Sequence, residues 1–366
     1  MVGGTNVPSF AGGRLAPGLR IATHNVQGMA GRRMSSLVKV HQLFKIWCEL
    51  NLDIVCVQET KIAADNTSRQ REVQQALDAA AARHGHPGFE IQWGCNTASS
   101  AGVALLFRKD LPLEMVGGVH KDDGGRLIHV RCKWAGHDFK LICTYLPSGV
   151  PRGQQEFITD VLKPILDRSP VPVVMAGDWN FTPAWRRDRL WSAAGTAHHR
   201  DEGPALAFTS LHSPPLVDAY RHLHPHRRSF TWHGRAGGEG CTASRLDRIY
   251  VSPELAPRVF RCKASPLTVS DHRPVFLHLL PITPVDRGRG MRRTRMDLWQ
   301  HEQQRVAWSA WLEEKAQSAP EDPQTLLAWW PSFKRDLACF TASLNRACRP
   351  QRDPSEEERA ARHALE

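Results

Sequence analysis

A series of short runs in this 366-residue sequence ends on side chains that can do chemistry. "THNVQG" delivers Asn25 and Gln27, "VCVQE" delivers Gln58 and Glu59, and "ICTYLP" delivers Tyr145. "VMAGDWN" ends in Asp178 and Asn180, "SRLD" in Asp247, and "SDHRPV" carries Asp271 and His272. Any one of these reads as turn chemistry, because Ser, Asp and Asn favour turns. Their repetition changes the reading, since carboxylates, amides, a phenol and an imidazole stand again and again at the margin of an apolar strand. Glu59 and Asp271, with the Asn25 and Gln27 amides, form an all-oxygen set suited to a hard cation. Mg²⁺ keeps several waters and needs one or two carboxylates plus a substrate phosphate, and Mn²⁺ can substitute. His24 and His272 lack partners at the spacing of a zinc cage. Such an oxygen-bound cation suits cleavage of a phosphodiester or phosphomonoester, where it polarises a phosphoryl oxygen and steadies the leaving group.

The elements that must position these residues alternate. "LRIATHNV" reads as a strand, and "SSLVKVHQLFKIWCEL" follows with Leu37, Val40, Leu43, Trp47 and Leu50 at helical spacing, Ser35 or Ser36 serving as N-cap. "LDIVCVQE" is a nearly continuous apolar strand, of the kind buried on both faces. A polar helix over Thr67 to Arg83 comes next, then the strands "FEIQWG", "GVALLFR", "LIHVRCKW" and "FKLICTYL", the last two joined by the hairpin signal "AGHD". "QQEFITDVLKPIL" reads as a helix that Pro164 bends or ends early. "VPVVMAGDWN", "SFTWHG", "SRLDRIYVS" and "DHRPVFLHLL" are further strands. The order suits an α/β (α+β) fold, a four-layer α/β/β/α sandwich of two mixed sheets followed by a small helical C-terminal extension. Strand ends in such a stack converge on one rim, where ligands bind.

The expected organisation is a Gly- and Pro-rich leader over 1–18, one large domain over 19–282 and a basic linker over 283–296. A Trp-rich helical segment over 297–350 and a charged tail over 351–366 complete it. The linker holds "RGRGMRRTR", which reads first as a spacer and second as a nuclear-import or phosphate-contacting segment. No run approaches the length of a membrane span and the leader lacks a signal peptide's apolar block, so the expectation is a soluble intracellular protein, nuclear if eukaryotic. Nine cysteines stand singly with no CxxC pair, predicting neither disulfides nor a structural metal. The net charge of +11 falls almost wholly on residues 1–280. A basic body favours a polyanionic partner such as DNA, since each phosphate contact releases a condensed counterion.

"HNVQG", "VQET", "TYLPSG", "GDWN", "RLDRIYVS" and "SDHRP" occur in an order that resembles the endonuclease/exonuclease/phosphatase superfamily, with its exonuclease III-like abasic-site nucleases, over about Leu19 to Leu280. Within it, "GDWNFTP", "SRLDRIYVSPEL" and the Trp-rich segment look most like the endonucleases of non-LTR (LINE-type) retrotransposons, which continue into a reverse transcriptase beyond this chain's end. The resemblance implies Glu59 as main metal ligand, with Asn25 beside it and Asp271 a further candidate. It implies that Asp178 orients or deprotonates the attacking water, and that Asn180 holds phosphoryl oxygens as charge builds. His272 would contact the scissile phosphate with Asp247 fixing its tautomer, and Tyr145 would meet the phosphate or the leaving oxygen. Position 27 departs from the pattern: Gln stands where many abasic-site members have an acid, which weakens metal binding there.

The leading expectation is a Mg²⁺-dependent DNA endonuclease that nicks one strand to leave 3′-hydroxyl and 5′-phosphate ends. Arg152, Arg186, Arg187, Arg189, Arg227 and Arg228, with Arg245 of "SRLDRIYVS", are candidates to grip backbone phosphates. Trp232 and His233 would wedge into or stack on DNA, or else pack the rim. The rivals are an abasic-site or exonuclease III-like repair nuclease, a phosphatase acting on a phosphoinositide or other small phosphorylated substrate, and a non-catalytic DNA-binding module.

Overall fold

The computed structural model describes residues 18–29, 37–95, 97, 101–191, 201–211, 215–234, 241–281 and 301–347. Two compact units divide the chain, Met1–Pro284 and Val285–Glu366. The first begins with β1 (Leu19–Asn25), α1 (Leu37–Glu49), β2 (Ile54–Gln58), α2 (Thr67–His84), β3 (Phe89–Gly94) and β4 (Val103–Arg108). It continues through β5 (Leu113–Lys121), β6 (Leu127–Trp134), β7 (His137–Tyr145), the helical run α3 (Pro151–Glu156), Phe157–Leu162 and α4 (Lys163–Asp167), and β8 (Val173–Asp178). Then come α5 (Trp185–Asp188), β9 (Arg189–Trp191), α6 (Glu202–Thr209), β10 (Val217–Asp218), α7 (Ala219–Leu223), β11 (Trp232–His233) and β12 (Cys241–Ser244). β13 (Asp247–Val251), β14 (Val259–Ala264) and β15 (Val275–Leu279) close it.

One sheet runs β14-β15-β1-β2-β4-β3 and the other β10-β13-β8-β7-β6-β5. Each is antiparallel apart from one parallel pair, β1 with β2 and β7 with β8. The two-residue side-chain period of a strand divides the core. Ile54 and Cys56 of β2 join Leu141, Cys143, Val174 and Ala176 between the sheets. Val55 and Val57 face the other way, onto Val40, Leu43 and Trp47 of α1 and Leu77 of α2. On the far face of the second sheet, Met175 and Ile142 pack on Ile158, Leu162 and Leu166. Helix, sheet, sheet and helix therefore stack in four layers, as the strand order implies.

Local departures have physical reasons. Pro164 neither ends nor breaks its helix, because the preceding Phe157–Leu162 segment widens into a π turn just where the ring would meet the carbonyl four residues back. α2 carries its caps in sequence, with the Asn66 side chain accepting from Arg69 N at 3.0 Å and Gly85 taking a left-handed φ of 60°. β5 is an exposed edge strand interrupted by a bulge around Gly117 and Gly118. A third, three-stranded sheet, β11-β12-β9, was not foreseen. The Ser35/Ser36 cap, the basic run 287–295, most of the leader and the charged tail lie outside the described residues.

The second unit holds α8 (Glu302–Gln317) and α9 (Pro323–Ala347). Its aromatics stack between the helices, Trp311 on Phe340 at 5.0 Å and Trp311 on Phe333 at 5.8 Å, with Lys315 bridging to Asp336 at 3.0 Å. Among the described residues no helix is long and apolar enough to cross a membrane.

Candidate active site

Strand register assembles the site before any side chain is considered. Asn25 lies opposite Gln58 in the β1–β2 pair, which sets it beside Glu59. Tyr145 lies opposite Asp178 in β7–β8, and Asp178 lies opposite Asp247 in β8–β13. Gly177 lets β8 come this close to β7, since a Cβ there would sit 2.1 Å from the Thr144 carbonyl oxygen. Three neighbours hold the left-handed backbone that non-glycine residues avoid: Gln27 at φ 47°, Glu59 at 54° and Asn180 at 51°. Such strain persists where the surroundings over-determine it, as at a functional rim. Here Gly28 N donates to the Glu59 carbonyl at 2.7 Å, and Asn180 N donates to Asp178 Oδ1 at 3.0 Å.

Asn25 joins the two sheets chemically. Its Nδ2 donates to Glu59 Oε1 at 3.0 Å and to Asp178 Oδ2 at 2.9 Å. Glu59 Oε1 also accepts from the Tyr145 hydroxyl at 3.0 Å, and Oε2 pairs with Lys61 Nζ at 2.8 Å. Burial alone would raise the Glu59 carboxyl, but donation from Asn25 and Lys61, the Lys61 charge and the Tyr145 hydroxyl hold it below its ordinary value. The Tyr145 phenol is pushed up by burial and by the Glu59 and Asp178 charges, so it stays protonated and donates.

Deeper in the rim, His272 Nδ1 lies 2.8 Å from Asp247 Oδ2, and its Nε2 lies 3.9 Å from Asp178 Oδ2. Burial would depress the imidazole, yet the Asp247 and Asp178 carboxylates outweigh it and raise His272. Asp178 is raised too, first by burial and then by Asp247, with His272 acting against them. Asp178, Asp247 and His272 offer ligand atoms that all lie within 4.8 Å of one another, a group able to receive a metal ion. Asp247 Oδ1 is buried with no hydrogen-bond partner among the described residues, which fits a site built to receive a further cation or donor. The chemistry of the donors differs: raised by two carboxylates, the His272 imidazole favours the form that donates from both nitrogens. Glu59, partly exposed and oxygen-only, suits a hard cation better.

Asp271 and His272 are sequence neighbours with divergent side chains. Asp271 Oδ2 accepts from the Trp232 indole Nε1 at 3.1 Å and Oδ1 from Ser270 Oγ at 3.3 Å. The Thr231–His233 segment and the Asp271–Arg273 segment pair like strands, His233 N donating to the Asp271 carbonyl at 3.1 Å and Arg273 N to the Thr231 carbonyl at 2.6 Å. Trp232 is thus half-buried and tied to Asp271, a rim-packing place rather than a free wedge. Asn180 donates its side-chain amide to the Leu146 carbonyl at 2.7 Å.

The arginines divide. Arg245 is corrected from the phosphate-gripping set: it is 2% exposed, its Nε and Nη2 lie 3.0 and 3.2 Å from the Asp188 carboxylate, and its Nη1 lies 2.8 Å from Asp218 Oδ2. Arg189 is likewise buried, paired with Asp201 at 2.6 Å. Arg187 Nη1 donates to the Pro225 carbonyl at 2.7 Å and Arg228 Nη2 to the Arg186 carbonyl at 3.0 Å, which ties two surface loops together. Arg186 lies over the Trp185 ring at 5.3 Å, and Arg152, on α3, pairs with Glu156 at 2.8 Å. Arg152, Arg186, Arg227 and Arg228 are exposed.

Three cations escaped the sequence reading, which sought acids, amides, a phenol and an imidazole at the strand margins. Lys61 follows Glu59 by two residues. Lys39 reaches from α1 to the Val26 and Gln27 carbonyls at 2.6 and 3.3 Å. Arg126 lies over the Tyr145 ring with its guanidinium carbon 5.1 Å from the centroid. An antiparallel strand begins on the rim where its neighbour ends, so the start of β6 was the signal for Arg126, while Lys61 after β2 and Lys39 within α1 carried no such signal.

Comparison with known proteins agrees with this geometry. The Endonuclease/Exonuclease/phosphatase family pattern matches residues 22–272, more than half of the chain. The chain is 24% identical over 294 residues to the transposon TX1 uncharacterized 149 kDa protein of Xenopus laevis, covering 74% of this chain and 21% of that protein. It therefore spans about a fifth of that relative's length. It is 24% identical over 253 residues to the exodeoxyribonuclease of Bacillus subtilis (strain 168), covering 63% of this chain and 88% of the relative. Among solved structures, an AP endonuclease from Archaeoglobus fulgidus superposes with a TM-score of 0.52 at 22% identity, over 71% of this chain and 99% of that one. The AP endonuclease LMAP from Leishmania major does so with 0.54 at 20% identity, over 72% and 87%. With the pattern running from β1 to the buried histidine, the chain belongs to the endonuclease/exonuclease/phosphatase family.

Proposed function

We propose that this chain is a Mg²⁺-dependent DNA endonuclease that nicks one strand and leaves 3′-hydroxyl and 5′-phosphate ends, as in retrotransposon-type target nicking. The observation that carries the reading is the pair of linked clusters. Asn25 holds Glu59 and Asp178 together, and His272 stands between Asp178 and Asp247. Glu59 and Asn25 would hold the ion, with Asp271 nearby as a further oxygen donor. When bound, Mg²⁺ supplies polarisation of a phosphoryl oxygen and steadies negative charge on the leaving oxygen.

The chain's own residues do the rest. Asp178, raised by burial, is poised to take a proton from the water whose oxygen attacks phosphorus. As the water oxygen bonds to phosphorus, the bond from phosphorus to the 3′ oxygen breaks, and that oxygen takes a proton from solvent water and leaves as the 3′-hydroxyl. His272, held protonated by Asp247, donates to a phosphoryl oxygen as charge builds, and the Asn25 and Asn180 amides fix the carboxylates and the rim. The net charge of +11 favours a polyanionic substrate. The transposon protein and the bacterial exodeoxyribonuclease among the relatives support a nucleic-acid substrate by likeness.

A second reading, an abasic-site nuclease, draws support from the likeness to AP endonucleases. Against it stands the neutral Gln27 at the rim. Undamaged and abasic duplexes, each labelled at either end, decide between them. Nicks in undamaged duplex whose 3′ ends prime a polymerase and whose 5′ ends ligate support the first reading. Cleavage confined to the abasic duplex, or release of inorganic phosphate alone from a panel of phosphorylated small molecules, would replace it.

A further inference from the structure

The start of β6 carries a cation that none of the roles above uses. Leu127 lies opposite Thr144 in the β6–β7 pair, so residue 126 stands on the rim beside Tyr145. Three hydrogen bonds fix the main chain at Gly125 and Arg126. Tyr145 N donates to the Arg126 carbonyl at 2.8 Å, Arg126 N donates to Asp122 Oδ1 at 2.8 Å, and Gly102 N donates to the Gly125 carbonyl at 2.9 Å. The guanidinium lies over the Tyr145 ring at 5.1 Å and spends one N–H on the Tyr145 carbonyl at 3.4 Å. A guanidinium has five donors in a planar fork. Among the described residues no carboxylate takes the remaining ones; the nearby Asp122 accepts at Oδ1 from the backbone N–H groups of Arg126 and Leu127.

The neighbouring cations are committed elsewhere. Lys61 is paired with Glu59, and Lys39 is bonded to two carbonyls. Arg126 is half-buried, pre-oriented by the ring and without a carboxylate partner among the described residues, next to the phenol that donates to Glu59. An Arg fork held so, at a rim otherwise crowded with acids, matches two oxygens of a phosphate.

We propose that Arg126 is a catalytic residue of phosphodiester cleavage, its guanidinium binding non-bridging oxygen of the phosphate presented to Glu59, Tyr145 and His272. The proposal rests on the nuclease reading. Ring packing alone is the competing role.

Arg126→Ala and Arg126→Lys, in the full chain, separate the two. Affinity for a duplex, read by fluorescence anisotropy in EDTA across a salt series, should fall for Arg126→Ala. The slope of log K against log salt should shrink by about 0.9, the loss of one phosphate contact. At saturating DNA, kcat should drop by about 10²-fold, and Arg126→Lys should recover part of it. Mn²⁺ affinity, read by electron paramagnetic resonance without DNA, and melting temperature should stay at wild-type values. An unchanged salt slope and kcat, in a wild type that nicks DNA, would overturn the assignment and leave the nuclease reading standing. Lost activity that tracks a lowered melting temperature, with the slope intact, would also overturn it, in favour of packing. A wild type that nicks nothing removes the nuclease reading, and a catalytic Arg126 with it; a reduced slope would then mark a phosphate contact only.

Discussion

The phenol of Tyr145 donates to Glu59 Oε1 at 3.0 Å, and the two residues belong to different sheets. Glu59 follows β2 of one sheet and Tyr145 ends β7 of the other, so this bond and the Asn25–Asp178 bond span the sandwich at its rim. The core beneath them is apolar on both inner faces, which fixes the sheets' spacing and therefore the distance between the two acids' neighbourhoods. Tyr145→Phe keeps the ring and removes the bond. Expected is a loss of about 1 kcal/mol in stability, read by urea unfolding, with a fall of about 10-fold or more in nicking rate.

Asp247 holds the His272 imidazole by its Nδ1, so Asp247→Asn should act through the orientation and protonation of the ring more than through the fold. A fall in kcat on the order of 10³ to 10⁴ is expected, by analogy with a carboxylate lost from behind a catalytic histidine. DNA binding measured in EDTA should change little. Equal losses in kcat and binding would place Asp247 in the substrate contact itself.

Asp188 is fully buried and takes both Arg245 and Arg221. Burial would raise its carboxyl, but the Arg245 and Arg221 charges and hydrogen bonds hold it below the ordinary value. A depressed folded-state value means the stabilisation is complete above the unfolded value, about pH 4, and fades as pH falls through the lower folded one. The wild-type urea midpoint should therefore decline below about pH 4. Asp188→Asn should lose about 3–5 kcal/mol at neutral pH, because two guanidiniums are left underpaired, and its acid decline should be shallower.

Arg248 presents the opposite case. It is fully buried, its three guanidinium nitrogens lack hydrogen-bond partners among the described residues, and it lies 4.7 Å from the Phe181 ring centroid, 5.6 Å from that of Trp179 and 5.8 Å from that of Tyr250. Three ring contacts offset part of the desolvation, but unmet buried donors cost about 1–3 kcal/mol. Arg248→Met should raise the melting temperature; a fall would show that the ring contacts outweigh the missing hydrogen bonds.

The four layers and the rim residues were legible because both rest on local pattern. Apolar runs such as "IVCVQ" and "VVMAGD" alternate between two buried faces, and each stops at its polar residue. β5 was not legible: "LEMVGGVHK" has two glycines and no clean alternation, and its edge position asks for neither. The small third sheet was hidden for a related reason, since "SRLDRIYVS" read as one strand although Ser244 ends β12 of the third sheet and Asp247–Val251 serves another. Arg245 looked like a phosphate ligand because its two acids, Asp188 and Asp218, lie far off in sequence. Whether Trp232 wedges into DNA or packs the rim stayed open for the same reason, its partner Asp271 being 39 residues away.

The central claim is a metal-dependent nick made at Glu59. Supercoiled plasmid incubated with the purified chain and Mg²⁺, with and without EDTA, and with Glu59→Gln alongside, tests it most directly. Expected is conversion to nicked circles with Mg²⁺, none with EDTA, and a rate for Glu59→Gln lower by about 10²-fold or more. Nicking that survives EDTA, or a Glu59→Gln variant as fast as wild type, would contradict it.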